Sequence, residues 1–148
     1  MIKNFDHVTI VVTDVDRAKE FFQLLGFEED KFVVISGDTF SGYMGIEDIE
    51  AEHHTLVLAG SSPRCEIQLL KFLNAEPTPN ANIEMLNTVG FNHICFAVDD
   101  VEQELKKLIA KGYETRNEVM DFHDRKLVFL RGPEGVTIEL AEWHDTAG

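Results

Sequence analysis

The pattern of apolar and polar positions occurs twice along the chain. Residues 5–10 form an apolar stretch that contains His7, and residues 91–96 form a similar stretch that contains His93. Beyond each stretch the two copies continue to match without a gap. An internal repeat indicates that one structural unit occurs more than once, so equivalent segments are expected to have the same structure. Two copies are too few for a solenoid, so the pattern predicts two related modules that pack together.

A second match lies downstream in each half. Residues 65–72 and 136–143 share an isoleucine, then Gln68 or Glu139, then a leucine and finally an aromatic residue. Both segments are short and apolar, as expected for buried strands. Each module is therefore predicted to begin with a strand that carries a histidine and to end with a strand that carries an oxygen donor.

Periodicity predicts the elements of module one, about residues 5–73. Residues 5–13 alternate imperfectly and are rich in valine and isoleucine, which favours a buried strand. Apolar residues at helical spacing follow, and Gly26 is placed to end that helix in a left-handed cap. Residues 36–52 are predicted to form a loop or short helix, and strands are predicted over residues 27–35, 53–59 and 65–72. The predicted order is βαβββ.

A linker over about residues 74–90, rich in proline and asparagine, is predicted to lead into module two, about residues 91–143. The same signals predict a strand over 91–98, a helix over 101–111, a loop through 121–124, and strands over 113–117, 126–131 and 136–143. The sequence thus predicts an α+β fold of two tandem βαβββ modules in a single domain spanning residues 1–148.

Composition narrows the classes of function. The formal net charge of -14 argues against nucleic acid and anionic membrane surfaces as partners, because both repel an acidic protein. Cys65 and Cys95 lie in apolar runs, which is typical of reduced, buried thiols. No apolar run approaches the ~20 residues that span a bilayer, and the first residues lack the order of a signal peptide. We therefore expect a cytoplasmic protein.

Four side chains form the candidate metal site. If the two modules pair about an approximate twofold axis, their equivalent positions converge, and these are His7, Gln68, His93 and Glu139. Two imidazoles with a carboxylate and an amide oxygen suit Zn²⁺, Ni²⁺, Co²⁺, Mn²⁺ or Fe²⁺. Gln68 has an alternative role as a buried hydrogen-bonding residue.

These motifs resemble the vicinal oxygen chelate superfamily, which includes glyoxalase I, methylmalonyl-CoA epimerase, extradiol dioxygenases, and bleomycin and fosfomycin resistance proteins. The resemblance implies a curved, partly open mixed-sheet barrel around a central cavity, and a homodimer. The segments that carry it are Asp6-His7-Val8 with Asp14-Val15-Asp16, Gly90-Phe91-Asn92-His93-Ile94 with Val98-Asp99-Asp100, and Gly132-Pro133-Glu134-Gly135 with Ile138-Glu139-Leu140.

The resemblance also implies roles for individual residues. It implies that one divalent metal ion is held by the same four side chains and that Glu139 acts as a base. The epimerase pattern has a second glutamate on the strand before the one that carries Gln68, where this chain has His53 and His54 instead. Imidazole titrates near neutral pH, so we predict that His54 takes the place of that glutamate, with His53 as the alternative.

The predicted function is that of a metal-dependent glyoxalase I-like lyase or an epimerase or isomerase. It would transfer a proton next to the metal-polarised carbonyl of a small 2-oxo or thioester substrate. An Fe(II) extradiol-type dioxygenase is an alternative, because His7, His93 and Glu139 alone form a two-histidine, one-carboxylate set. A fosfomycin-type resistance protein and a non-catalytic small-molecule binder are further alternatives.

Overall fold

The computed structural model describes residues 1–144. The chain forms two compact units, Met1–Pro79 and a second that begins at Asn80. Each unit contains one mixed four-stranded sheet and follows the order βαβββ, with one additional short helix between the second and third strands of the first unit. The predicted α+β class and the repeated modules are therefore confirmed. The last four residues of the predicted domain 1–148 lie outside the described residues. No helix within residues 1–144 has the length and apolar character needed to cross a bilayer.

The elements of the first unit are β1 His7–Val11, α1 Val15–Leu24, β2 Phe27–Ser36, α2 Asp38–Met44, β3 Glu50–Leu58 and β4 Glu66–Phe72. Those of the second unit are β5 Ile94–Ala97, α3 Val101–Ala110, β6 Met120–Phe122, β7 Arg125–Arg131, a 3₁₀ turn Pro133–Gly135 and β8 Thr137–Trp143.

Within residues 1–144, the two sheets have the same topology, and neither closes into a barrel. Their strand orders are β1-β4-β3-β2 and β5-β8-β7-β6, with the first pair parallel and the others antiparallel. In equivalent positions Thr9 pairs with Gln68 and Cys95 pairs with Glu139. The strand that begins at His7 and the strand that directly follows His93 therefore each lie beside the strand that carries the oxygen donor of the same unit.

Each long helix begins at an aspartate that the repeat places in the same position. The side chain of Asp14 accepts a 3.0 Å hydrogen bond from the Arg17 amide, and Asp100 accepts a 3.0 Å bond from the Gln103 amide. Such caps satisfy amides that a helix leaves unpaired at its first turn. α1 contacts β2 and β4, and α3 contacts β7 and β8. Their buried residues are Val15, Ala18, Phe21 and Phe22 in α1 and Val101, Leu105 and Leu108 in α3.

The predicted strand over residues 113–117 does not form. Thr115 makes only an isolated bridge to β7, and the amide of Phe129 donates to the side-chain oxygen of Asn117 at 2.9 Å instead of to a backbone carbonyl. Because a side chain replaces a ladder carbonyl, the backbone pairing stops there. The second strand of the module is instead β6, Met120–Phe122, which lies partly inside the segment predicted as a loop.

Gly26 and Gly42 provide a matched pair of stability predictions. Gly26 follows α1 with φ of +101°, which L-residues disfavour, whereas Gly42 lies inside α2 without a positive φ and with nothing within 4 Å of an added Cβ. We expect Gly26→Ala to lower the free energy of unfolding by about 1–2 kcal/mol. Gly42→Ala is expected to raise it by about 0.5–1 kcal/mol. Urea unfolding of both variants measures the difference, and changes of the same sign would contradict the assigned conformations.

Candidate metal centre

The second unit places two of the predicted ligands next to each other. His93 Nε2 lies 3.5 Å from Glu139 Oε1, and the side chains are 30% and 15% exposed. The other ring nitrogen, Nδ1, lies 2.7 Å from the side-chain oxygen of Asn92. With Nδ1–H donating to Asn92, the lone pair is on Nε2, the nitrogen beside the carboxylate. One nitrogen and one carboxylate oxygen can therefore reach one cation from this unit.

In the first unit, the side chain that precedes His7 contacts its Nδ1 atom, as Asn92 contacts Nδ1 of His93. His7 Nδ1 lies 2.6 Å from Asp6 Oδ1, and the imidazole is 38% exposed. Asp6 and Asn92 both directly precede their histidine, so both rings are held by the oxygen of the preceding side chain. Histidines that bind metals commonly donate their second ring N–H to such an oxygen, which fixes the tautomer and raises the basicity of the free nitrogen.

Gln68 is held by three side chains. Its Nε2 donates to Glu66 Oε2 at 3.1 Å, and its Oε1 accepts from Thr9 Oγ1 at 3.2 Å. Oε1 also lies 3.0 Å from His53 Nε2. The carboxylate of Glu66 accepts only from the NH₂ group, so it fixes which end of the amide faces Thr9 and His53. Within residues 1–144, the side-chain hydrogen bonds of Gln68 are made with these three residues and not with His7.

His53 and His54 lie on opposite faces of β3, since side chains alternate along a strand. His53 contacts Gln68, whereas His54 is buried, 3.1 Å from Glu52, and faces a cavity of about 490 Å³ beside α1. This placement argues against the predicted role of His54, because His53 is the histidine that shares a face with Gln68.

Cys95 supports Glu139 in the second unit. Burial, a hydrogen bond to Glu139 and the charge of that carboxylate together raise the pKa of the Cys95 thiol to about 12. The thiol is therefore protonated at neutral pH and acts as a donor to Glu139 rather than as a nucleophile. The repeat places Thr9, which donates to Gln68, at the equivalent position of the first unit.

A second carboxylate lies beside Gln68. Burial alone raises the pKa of Glu66, but hydrogen bonds from Arg64 and Gln68 outweigh it, so the pKa lies below its usual range. Arg64 Nε donates to Glu66 at 2.5 Å. One donor atom each from Asp6, His7 and Glu66 lies within 4.8 Å of the others. The first unit thus offers Glu66 as a carboxylate alternative to the Gln68 amide.

The residues that form hydrogen bonds with the predicted ligands were not predicted from the sequence. Asp6 and Asn92 orient the two histidines, and Thr9 and Cys95 donate to the two oxygen donors. The signal that would have found them was the repeat itself, because each pair occupies matching positions of the two copies. A polar or thiol side chain at the same position beside both ligands indicates a shared supporting role.

Comparison with known proteins places the chain in a family. A family model for the Glyoxalase/Bleomycin resistance protein/Dioxygenase superfamily matches residues 6–129. The chain therefore belongs to this superfamily, and the resemblance to vicinal oxygen chelate proteins is confirmed.

Individual relatives agree with this assignment. Glyoxalase I of Saccharomyces cerevisiae is 26% identical over 149 residues, covering 91% of this chain but 43% of that protein. Lactoylglutathione lyase of Schizosaccharomyces pombe is 24% identical, covering 95% of this chain and 48% of the relative. The chain spans less than half the length of these curated relatives. The crystal structure of a glyoxalase family protein from Bacillus cereus aligns with a TM-score of 0.88 and 26% identity, covering 97% of this chain and 96% of the other.

Proposed function

We propose that the protein is a divalent-metal-dependent lyase or isomerase of the glyoxalase I type, acting on a small 2-oxo or thioester substrate. The observation that carries the proposal is the pair His93 and Glu139, whose Nε2 and Oε1 atoms lie 3.5 Å apart with the ring oriented by Asn92. Relatives named glyoxalase I and lactoylglutathione lyase support this class of reaction.

The residue types of the proposed set suit a divalent cation. His7, His93 and Glu139, with Gln68 as the fourth member, would supply the imidazole and oxygen ligands that Zn²⁺, Ni²⁺, Co²⁺, Mn²⁺ or Fe²⁺ accept. When bound, such an ion polarises a substrate carbonyl and makes the adjacent C–H group more acidic. Both histidines already have the supporting oxygen that metal ligands commonly need.

The protein's own groups would move the proton. We propose that a carboxylate oxygen of Glu139 removes a proton from the carbon next to the carbonyl and returns it to a neighbouring atom. The Cys95 thiol holds this carboxylate by a hydrogen bond without competing for the reaction, because its pKa of about 12 keeps it protonated. His53 is assigned the second acid–base role in place of His54, because it lies on the face that carries Gln68.

We further propose a homodimer and a small-molecule substrate as the partners of the chain, following the superfamily. Size-exclusion chromatography with light scattering tests the assembly. A mass of one chain at working concentration would contradict the dimer.

Reconstitution tests the function. Metal-free protein is reloaded separately with Ni²⁺, Co²⁺, Mn²⁺ and Zn²⁺, then assayed with the hemithioacetal of methylglyoxal and glutathione and, for epimerisation, with a chiral acyl-CoA thioester. We expect turnover of one substrate that appears on metal addition and disappears with a chelator. Turnover that is equal with and without metal would contradict the proposal.

One observation favours a second candidate, an Fe(II) ring-cleaving dioxygenase. Oε1 of Gln68 already contacts Thr9 and His53, which weakens it as a metal ligand and leaves a two-histidine, one-carboxylate set of His7, His93 and Glu139. Oxygen consumption with catechol, after anaerobic loading with iron, separates this candidate from the first. Oxygen uptake without hemithioacetal or thioester turnover would favour the dioxygenase.

A further inference from the structure

Arg125 lies on the same face of the second sheet as Glu139. Arg125 pairs with Trp143 and Phe129 pairs with Glu139 across β7 and β8. Trp143 and Glu139 are an even number of residues apart on β8, so their side chains point to the same side of the sheet. At about 3.3 Å per residue, the two positions on β8 are separated by roughly 13 Å.

The guanidinium of Arg125 is held in place by aromatic rings. Its central carbon lies 4.5 Å from the ring centroid of Trp143 and 6.0 Å from that of Phe122. The Arg125 side chain is 32% exposed, so the rings cover much of it while leaving access from solvent. A cation fixed against aromatic faces loses little conformational freedom when it binds a ligand.

The charge of Arg125 is poorly neutralised by its own protein. The carboxylate of Asp124 lies 3.8 Å from Nε, and Nε is buried without a hydrogen-bond partner within residues 1–144. Arg131, on the same face of the same strand, instead contacts Glu84 at 2.7 Å and Glu114 at 3.9 Å. Arg125 therefore keeps hydrogen-bonding capacity that Arg131 has already used.

The positive charge of Arg125 is important for binding an anion because the chain as a whole is strongly acidic. With a net charge of -14, the protein repels an anionic substrate unless a local positive group receives it. The planar guanidinium forms paired hydrogen bonds with carboxylate or phosphate oxygens. Ring atoms of Trp143 and Phe122 beside it provide apolar contact for the part of the molecule that carries the anion.

We infer that Arg125 binds a carboxylate or phosphate group of the substrate, on the sheet face that carries Glu139. This inference rests on the proposed function, since it names the class of substrate for that face. The substrate then has an anionic group on the order of 10 Å from its reacting oxygens, joined by a chain that passes along β8.

Fluorescence titration of the metal-free full chain tests the inference directly. Trp143 is the only tryptophan of the protein and lies against Arg125, so its emission reports on this position. The probes are phenylacetate, phenyl phosphate and the neutral phenylacetamide, at constant ionic strength. We expect a saturable change with at least one anion, with phenylacetamide at least tenfold weaker. The tighter of the two anions identifies the group as carboxylate or phosphate.

Variants separate recognition by Arg125 from general charge effects. Arg125→Gln is expected to weaken binding of the anion at least tenfold, and Arg125→Lys, which keeps the charge without the planar fork, to weaken it less. Lys126→Gln removes the same charge from the opposite face of β7, where Lys126 contacts Glu102, and should leave affinity within twofold of wild type.

Two results would overturn the inference: equal affinity for phenylacetamide and both anions, or wild-type affinity in a folded Arg125→Gln variant. If Arg125→Gln does not fold, two measurements still test the inference. These are the affinity of the wild type for the anions relative to phenylacetamide, and the anion affinity of Arg125→Lys. Because these titrations contain no metal, their failure leaves metal-dependent turnover intact. Failure of that turnover, in contrast, removes the proposed function without changing anion affinity.

Discussion

Glu139→Gln is expected to lower kcat about 10²–10⁴-fold, the range associated with loss of a general base. Glutamine has nearly the same shape and keeps an oxygen near His93, but its amide does not accept a proton at neutral pH. We therefore expect a folded protein that loses turnover much more than substrate affinity. Steady-state kinetics with the substrate found by reconstitution measures the change.

Glu142→Gln is the matched control for this variant. Glu142 lies on β8 but faces the opposite side from Glu139, where its Oε2 accepts a 3.0 Å hydrogen bond from the Val101 amide. The oxygen of glutamine can still accept that bond, so turnover should stay within about twofold of wild type. A Glu139→Gln variant as active as Glu142→Gln would show that Glu139 is not the base.

Phe22→Ala is expected to lower the free energy of unfolding by about 3–5 kcal/mol. Phe22 is fully buried in α1, and its ring centroid lies 5.3 Å from that of Phe21 and 5.8 Å from that of Phe27, both edge-on. Truncation removes these contacts and leaves a cavity in a close-packed interior. A loss of this size is a large part of the 5–15 kcal/mol typical of a whole domain.

Phe5→Ala is the control, because Phe5 is 74% exposed. Its effect should be within about 0.5 kcal/mol, as for most surface substitutions. Urea unfolding followed by circular dichroism measures both variants, and Phe22→Leu serves if Phe22→Ala does not fold. Equal losses at Phe5 and Phe22 would contradict the packing of α1.

The repeat made most of the fold predictable. Because His7 and His93 occupy matching positions, one comparison located the first strand of both modules. Gly26 marked the end of α1 through its left-handed conformation, which the structure shows as φ of +101°. Apolar periodicity then separated helices from strands, since the two have different repeats. These signals are local, so they need no knowledge of which strands pair.

The remaining features depend on register, which the sequence does not reveal. Alternation shows that His53 and His54 face opposite ways, but only the pairing of β3 with β4 shows that His53 meets Gln68. The absence of the strand predicted over residues 113–117 also depends on pairing. The side chain of Asn117 accepts the hydrogen bond from the Phe129 amide that a backbone carbonyl would accept in a regular ladder. Likewise, only the register of β7 and β8 shows that Arg125 lies beside Trp143.

In the proposed metal site, histidine and oxygen donors at matching positions of the two modules hold one divalent cation. Calorimetric titration of the metal-free protein with Ni²⁺, repeated with His7→Ala and His93→Ala, tests this site. We predict one ion bound per chain, and a loss of affinity of at least about 100-fold in each variant, since even indirect support of a ligand is worth 10–100-fold. No uptake by the wild type, or uptake that His93→Ala leaves unchanged, would contradict the proposed site.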